Sequence, residues 1–184
     1  MSTKAEATIE DLYKVEGRAE IVGGEIVVMN PTGYMPSWAA GQIYFHLRLY
    51  LQNNHISGVA LTDNIGFAVD LPHRKSFSPD VAFFQGKTTG MKFLEGAPAF
   101  AVEVRSEGDY GTSAEKQIAE KRADYFAAGT QVVWEVDLLG DEIIKVYRNG
   151  ESASPAAAYR RGETADAEPV IPGWRFPVNE MFSD

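Results

Sequence analysis

Three residues in this chain have the types and spacing to do hydrolytic chemistry: Asp80, Glu103 and Lys121. Side chains alternate along a strand. In "AFAVEVRS", residues 99–106, Ala101, Glu103 and Arg105 therefore share one face. Phe100, Val102 and Val104 share the other. In "SPDVAFF", residues 78–84, Asp80, Ala82 and Phe84 share a face. If the two strands are neighbours, the Asp80 and Glu103 carboxylates converge. A glutamate in so apolar a strand is rarely buried without a partner.

The third group comes from a helix. Ala114, Ile118, Lys121, Tyr125 and Ala128 recur at spacings of four, three, four and three, which is one helical stripe. Lys121 interrupts this apolar and aromatic face. Glu115, Lys116, Glu120 and Arg122 fall on the faces expected to be exposed, so a lysine had room elsewhere. An inward lysine points to a partner on the sheet. Two carboxylates and a lysine suit a hard divalent cation and a polarised water. Mg²⁺ takes oxygen ligands, commonly one or two carboxylates, with water and phosphate completing its shell. Mn²⁺ is a possible substitute. A bound cation relieves the repulsion of two close carboxylates. A lysine beside it can orient or help deprotonate the attacking water. Arg105 stays protonated, so it can only clamp a phosphate or pair with a carboxylate. Blander readings also stand. Lys121 can snorkel past Tyr125 to water, and Glu103 with Arg105 can form a structural ion pair at a sheet edge.

These residues need elements to position them. Thr8 caps a short helix, with Asp11 three residues on and Leu12 and Val15 on its apolar side. "RAEIVGGEIVVM" reads as a hairpin, its Gly23-Gly24 turn supplying positive φ angles. Glu20 and Glu25 flank that turn. One of them is expected to reach the metal as an accessory ligand, with Glu25 the candidate beside Arg105. Ser37 caps a helix running to about Asn53, with Ile43, Leu47 and Tyr50 on one side. "VALTDNIGFAVDL" is one or two strands. "PHRKSF" is a loop whose His73, Arg74 and Lys75 either touch phosphate or face solvent. Thr112 or Ser113 caps the helix that carries Lys121, and Gly129 closes it. Asp109 and Tyr110 precede it and can line the site's rim. "QVVWEVDL" and "EIIKVYR" follow as strands, and the aromatic tail "IPGWRFPVNEMF" packs on the domain. Strand, helix, strand suggests a crossover, and the earlier hairpin suggests antiparallel pairing. The expected fold is a mixed-sheet α/β domain.

The chain has 184 residues, 45% hydrophobic and 23% charged. That fits one domain, residues 1–184, with a sizeable core. It has no cysteine, which excludes disulfides and thiolate metal sites. No apolar run approaches the roughly 20 residues that span a bilayer. The N-terminus lacks the apolar core of a signal peptide, so a cytoplasmic location is expected. A net charge of −9 argues against tight nonspecific nucleic-acid binding, though not against a local basic groove. No phosphate-cradling glycine loop precedes a helix. Three scattered histidines suggest no Ser-His-Asp set, and His46 has no second histidine at ligand spacing.

"SPD" followed 23 residues later by "VEVRS" resembles the PD-(D/E)xK nuclease superfamily. Within it, the chain resembles the Uma-two-type restriction-endonuclease family (domain of unknown function 820). "EIVGGEIVVMNP", "SPDVAFF", "AVEVRSEGDYG", "AEKRADYFAAGTQVVWEVD" and "IPGWRFP" carry this resemblance in order along nearly the whole chain. It implies a restriction-endonuclease-like fold, a mixed central sheet flanked by helices. It implies Asp80 and Glu103 as metal ligands, and Mg²⁺-dependent hydrolysis of DNA, with a homodimer possible. The superfamily often keeps its lysine two residues after the glutamate, where this chain has Arg105. In this family the lysine looks to have moved to the following helix, which matches Lys121. Many relatives carry a histidine at the start of the long early helix; here Trp38 stands near that point. The alternative is a nuclease fold used for binding or assembly without catalysis.

Overall fold

The computed structural model describes residues 5–62, 64–151 and 153–182. Residues 1–4 of the N-terminal segment and Asp63, within the "VALTDNIGFAVDL" region, lie outside them. The chain opens with α1 (Ile9–Leu12), closed by the expected capping box between Thr8 and Asp11. Strands β1 (Ala19–Val22) and β2 (Glu25–Val28) form the expected hairpin. Gly23 and Gly24 have φ of 60° and 75°, which a two-residue turn of matching twist requires.

Helix α2 (Tyr34–Asn53) starts three residues before the expected Ser37, capped by Gly33. Pro36 thus falls in the first turn, where its missing N–H costs nothing. After β3 (Val59–Thr62) come β4 (Phe67–Ala68), β5 (Ser76–Phe77) and β6 (Val81–Phe84). The expected loop 72–77 is ordered: the Gly23 N–H donates to the His73 carbonyl and the Lys75 N–H to the Ile21 carbonyl. Pairing with the edge of β1 turns Arg74 inward. Then follow β7 (Leu94–Glu95), β8 (Phe100–Val104), α3 (Thr112–Ala127) and β9 (Val132–Val136). Gly111, not Thr112 or Ser113, is the residue before the first turn of α3, and no side chain caps it. Gly129, at φ 108°, stands just beyond its end. The rest is β10 (Ile144–Arg148), β11 (Ala157–Tyr159), β12 (Thr164–Ala165), β13 (Phe176–Pro177) and a 3₁₀ turn, Val178–Met181.

The central sheet has the order β11-β10-β9-β8-β6-β3. Only β8 and β9 are parallel, joined by the α3 crossover; the other pairs are antiparallel. This is the mixed α+β sheet flanked by helices, with an N-terminal hairpin, that the sequence led us to expect. The alternation read in "AFAVEVRS" separates two cores. Phe100, Val102 and Val104 pack with Ile43 and Leu47 of α2 and with the tail residues Trp174 and Phe176. Ala101 packs on the other face with Ala82, Phe84, Tyr125 and Phe126. Trp134 and Trp174 stack with ring centroids 5.2 Å apart, so the tail does pack on the sheet. No helix of the described residues is long and apolar enough to cross a membrane.

Asp166 ties the tail down. Its carboxylate accepts from the Tyr159 hydroxyl at 2.8 Å, the Glu168 N–H at 3.0 Å and Arg148 at 3.2 Å. Burial alone would raise its pKa, but these donors outweigh it and hold it below 3.8. A depressed carboxylate stabilises the fold above its unfolded pKa and loses that contribution as pH falls through its folded value. Asp166→Ala should cost about 1–3 kcal/mol at pH 7 in denaturant unfolding. The gap to wild type should close in acid, below pH 3.8. A gap constant down to pH 2 would show that the charge contributes nothing.

Candidate active site

The register of β6 on β8 pairs Val81 with Val102 and Ala82 with Ala101. Asp80 immediately precedes β6, and Glu103 follows Val102 on β8. The Asp80 N–H donates to the Val102 carbonyl at 3.0 Å. Its side chain then takes the next backbone donor of β8: Oδ2 accepts the Val104 N–H at 2.7 Å. Oδ1 accepts from Nη1 of Arg18 at 2.8 Å. The Arg18 guanidinium also donates to the Ser78 carbonyl, so it ties the start of the hairpin to this corner of the sheet.

Glu103 faces α3. Lys121 Nζ lies 2.9 Å from its Oε1, and the Tyr125 hydroxyl donates to the same oxygen at 2.6 Å. The inward stripe of α3 therefore delivers both partners, and Lys121 does not snorkel to water. Lys121 also lies 3.0 Å from Oε1 of Glu20, which accepts the Ser78 N–H at 2.8 Å. Oε2 of Glu20 pairs with Nη1 of Arg74 at 2.5 Å. Nε of Arg74 donates to Asp124 at 2.7 Å, and His73 Nε2 sits 2.6 Å from the other Asp124 oxygen. One chain of charges thus runs from His73 through Asp124, Arg74, Glu20 and Lys121 to Glu103.

Some expectations change here. Of the two glutamates flanking the hairpin turn, Glu20 reaches the lysine and is only 3% exposed. Glu25 stands exposed at the turn end of β2. Arg74 is buried rather than solvated. Arg105 pairs with Glu115 on the first turn of α3, Nη2 to Oε2 at 2.9 Å, so it is a structural ion pair. Arg122 is not on an exposed face. It pairs with the buried Glu135 and lies 3.8 Å over the Tyr147 ring. Glu135 is the parallel neighbour of Glu103. The consecutive Lys121 and Arg122 of α3 therefore neutralise consecutive acidic rows of the sheet. Of the proposed rim, Asp109 accepts the Ser106 N–H at 2.7 Å. The Tyr110 hydroxyl donates to Asp137 at 2.9 Å. Burial and that carboxylate push the Tyr110 hydroxyl up to about 12. His46 Nε2 is 3.9 Å from Glu180, away from the carboxylate pair.

Arg18, Arg74, Asp124 and Glu135 belong to this charged layer and were not singled out from the sequence as part of it. Asp124 carries the clearest missed signal, because it sits one residue from Tyr125 on the buried side of α3.

The electrostatics follow from burial. Burial raises the pKa of Glu103; Lys121 opposes this, while Asp80 and Glu20 add to it, and the net direction is up. Burial would also raise Glu20, but Lys121 and Arg74 outweigh it and its pKa falls. Burial would lower Lys121, but Glu103 and Glu20 outweigh it and hold it above 10.5. Lys121 is therefore a cation at neutral pH, a donor rather than a base. Burial and the nearby carboxylates raise Tyr125 well above 10.0, so it keeps its proton.

Among the described residues no group of three or more carboxylates or histidines is gathered around one point to hold a metal. That excludes a closed protein cage. It does not conflict with Mg²⁺, which keeps several waters and binds through one or two carboxylates. Asp80 and Glu103 supply that number, side by side on neighbouring strands. The donor set fits a divalent cation.

The comparisons with known proteins agree with the fold. Residues 7–179 match the family model Uma2, described as "Putative restriction endonuclease". The chain belongs to the Uma2 family. No curated protein matches it. A crystal structure from Anabaena variabilis ATCC 29413, described as "a putative nuclease belonging to DUF820", superposes with a TM-score of 0.72. The identity is 14%, over 96% of this chain and 97% of that one, so this likeness speaks for the fold alone. Family membership supports a nuclease, a hydrolase of phosphodiester bonds.

Arg74 stabilises two buried carboxylates at once. Arg74→Met should destabilise the fold by up to about 3–5 kcal/mol, because buried Glu20 would keep only Lys121 as a cation and buried Asp124 only the contact with His73. Adding Glu20→Gln to that variant should recover part of the loss. Additive losses in the double variant would mean that the two side chains are not coupled.

Proposed function

We propose that this Uma2 protein is a Mg²⁺-dependent endonuclease that hydrolyses DNA phosphodiester bonds. One observation carries the reading: Asp80, at the entry to β6, accepts the Val104 N–H of β8 next to Glu103 and its charge bears on that carboxylate, while Lys121 Nζ lies 2.9 Å from Glu103. Asp80 and Glu103 would hold the metal; Mn²⁺ is the natural substitute. When bound, the ion supplies Lewis-acid polarisation of a phosphate oxygen and of a water.

The chain's own residues do the rest. Lys121 has three N–H donors. Glu103 and Glu20 take two, at 2.9 and 3.0 Å. The third is available to fix the attacking water or to meet the negative charge that grows on the phosphate. Paired with two carboxylates, Lys121 is placed to orient the water. Tyr125 fixes the Glu103 carboxylate from the other side, and Glu20 fixes the lysine. The catalytic set is Asp80, Glu103 and Lys121, with Glu20 and Tyr125 as positioning residues.

A second reading has one specific observation behind it. Arg18 already pairs with Asp80 at 2.8 Å, and a guanidinium on a ligand can make a metal unnecessary. In that case the fold serves binding or assembly without catalysis.

Supercoiled and single-stranded DNA should be cut in Mg²⁺ or Mn²⁺ and spared in EDTA. Asp80→Ala and Lys121→Ala, checked for folding by circular dichroism, should each lose at least about 100-fold. Residual cutting equal in wild type and both variants would mark a contaminant and end the nuclease reading. Calorimetry with Mn²⁺ separates the second reading: no binding at millimolar metal favours a noncatalytic module.

A further inference from the structure

Helix α2 carries an exposed apolar stripe that the core does not use. Its buried face is Ala39, Ala40, Ile43, Leu47 and Leu51. Tyr34, Trp38, Phe45 and Leu49 lie on the opposite side, and all four are exposed. Tyr34 and Trp38, 65% and 39% exposed, stand with ring centroids 6.3 Å apart and planes within 30°. Beside them is a groove of about 180 Å³, whose lining includes Thr32, Pro36, Ser37, Ala40, Gly41 and, at its end, Asp80. Gly41 belongs to both features. On the helix it falls between Tyr34 and Ser37 in angle, and nothing lies within 4 Å of where its Cβ would stand. The rings therefore flank an open rim, and the groove below them leads to Asp80.

We propose that Tyr34 and Trp38 form a stacking platform for unpaired bases, and that the substrate of the adjoining carboxylate site is DNA with a single-stranded segment. This rests on the nuclease reading for the word substrate; the binding itself does not. Two observations favour unpaired bases over a duplex. The net charge of −9 limits what phosphate contacts can contribute. Aromatic stacking is indifferent to that charge and needs an exposed base face, which a duplex hides and a single strand offers. The groove mixes the hydroxyls of Thr32, Ser37 and Thr62 with the apolar Pro36 and Ala40, and it ends at Asp80. The hydroxyls offer donors to a sugar-phosphate backbone whose bases rest on the rings. Arg48, exposed further along α2 and bonded to Tyr44 at 2.8 Å, adds a cation on the groove side.

The chain reports on the platform by itself. Trp134 and Trp174 are 0% and 1% exposed, so fluorescence quenching by an added solute reads Trp38. In EDTA, a thymine 12-mer should quench and shift this emission, and a duplex of the same length should do so far less. The affinity for the single strand should fall less steeply with salt than that for the duplex. Trp38→Ala and Tyr34→Ala should each weaken single-strand binding about tenfold, measured by anisotropy of a labelled oligonucleotide. Trp38→Phe should retain binding and lose the signal. Quenching without any metal-dependent cleavage would leave the platform standing and remove the nuclease. Cleavage with the same preference for single over double strands in Trp38→Ala would remove the platform and leave the nuclease. Equal binding of duplex and single strand would overturn the proposal. So would a dimer, seen by sedimentation, that shields Trp38 and dissociates on Phe45→Ser.

Discussion

Everything in the site depends on keeping two glutamates charged beneath a helix. Glu20 is 3% exposed, and Glu103 is half-buried against α3. A buried carboxylate without a partner would take up a proton or unfold the region. Lys121 answers both at once, 3.0 Å from one and 2.9 Å from the other. The lysine therefore does structural work before any chemistry. It joins the hairpin, the sheet and α3, three elements far apart in sequence. Arg74 extends the same logic outward to Asp124. The pattern of burial explains why the pKa values of the two glutamates move in opposite directions. Glu20 has two close cations, whereas Glu103 has one cation and two carboxylate neighbours.

Much of this was legible from periodicity. Alternation along 99–106 separated Glu103 from the apolar residues, and the two faces do belong to two cores. The helical stripe of α3 singled out Lys121 and Tyr125, and both meet Glu103. Gly23-Gly24 marked the hairpin. What stayed hidden depends on contacts between distant segments. "HRK" at 73–75 reads as a polar loop because only its backbone pairing with β1 makes Arg74 an inward residue. Glu20 and Glu25 look equivalent on either side of a turn, and the fold distinguishes them by which end of the hairpin meets α3. Arg122 looks solvated until the parallel register places Glu135 beside Glu103.

The arginine two residues after Glu103 illustrates how a motif position can be reused. Arg105 follows the end of β8 and pairs with Glu115 on the first turn of α3. A strand's end and a helix's beginning are thereby held together across the loop 105–111. With that position committed to structure, the cation near Glu103 has to come from the helix itself. Lys121 is about two and a half turns along α3 from Thr112, far enough to return over the sheet.

Arg18 sets the remaining constraint. Both oxygens of Asp80 already have donors, Arg18 on one and the Val104 N–H on the other. A carboxylate oxygen has two lone pairs, so a cation can share Asp80 with these donors without displacing them. The cost is repulsion between the cation and the guanidinium. The Glu103 carboxylate near Asp80 offsets part of it. Arg18 also donates to the Ser78 carbonyl, two residues before Asp80, so the guanidinium is held on the side of the segment that leads into β6. The Glu103 side of Asp80 is where the second carboxylate and Lys121 converge. The hairpin, through Arg18 and Glu20, therefore bears on both candidate ligands: directly on Asp80, and through Lys121 on Glu103.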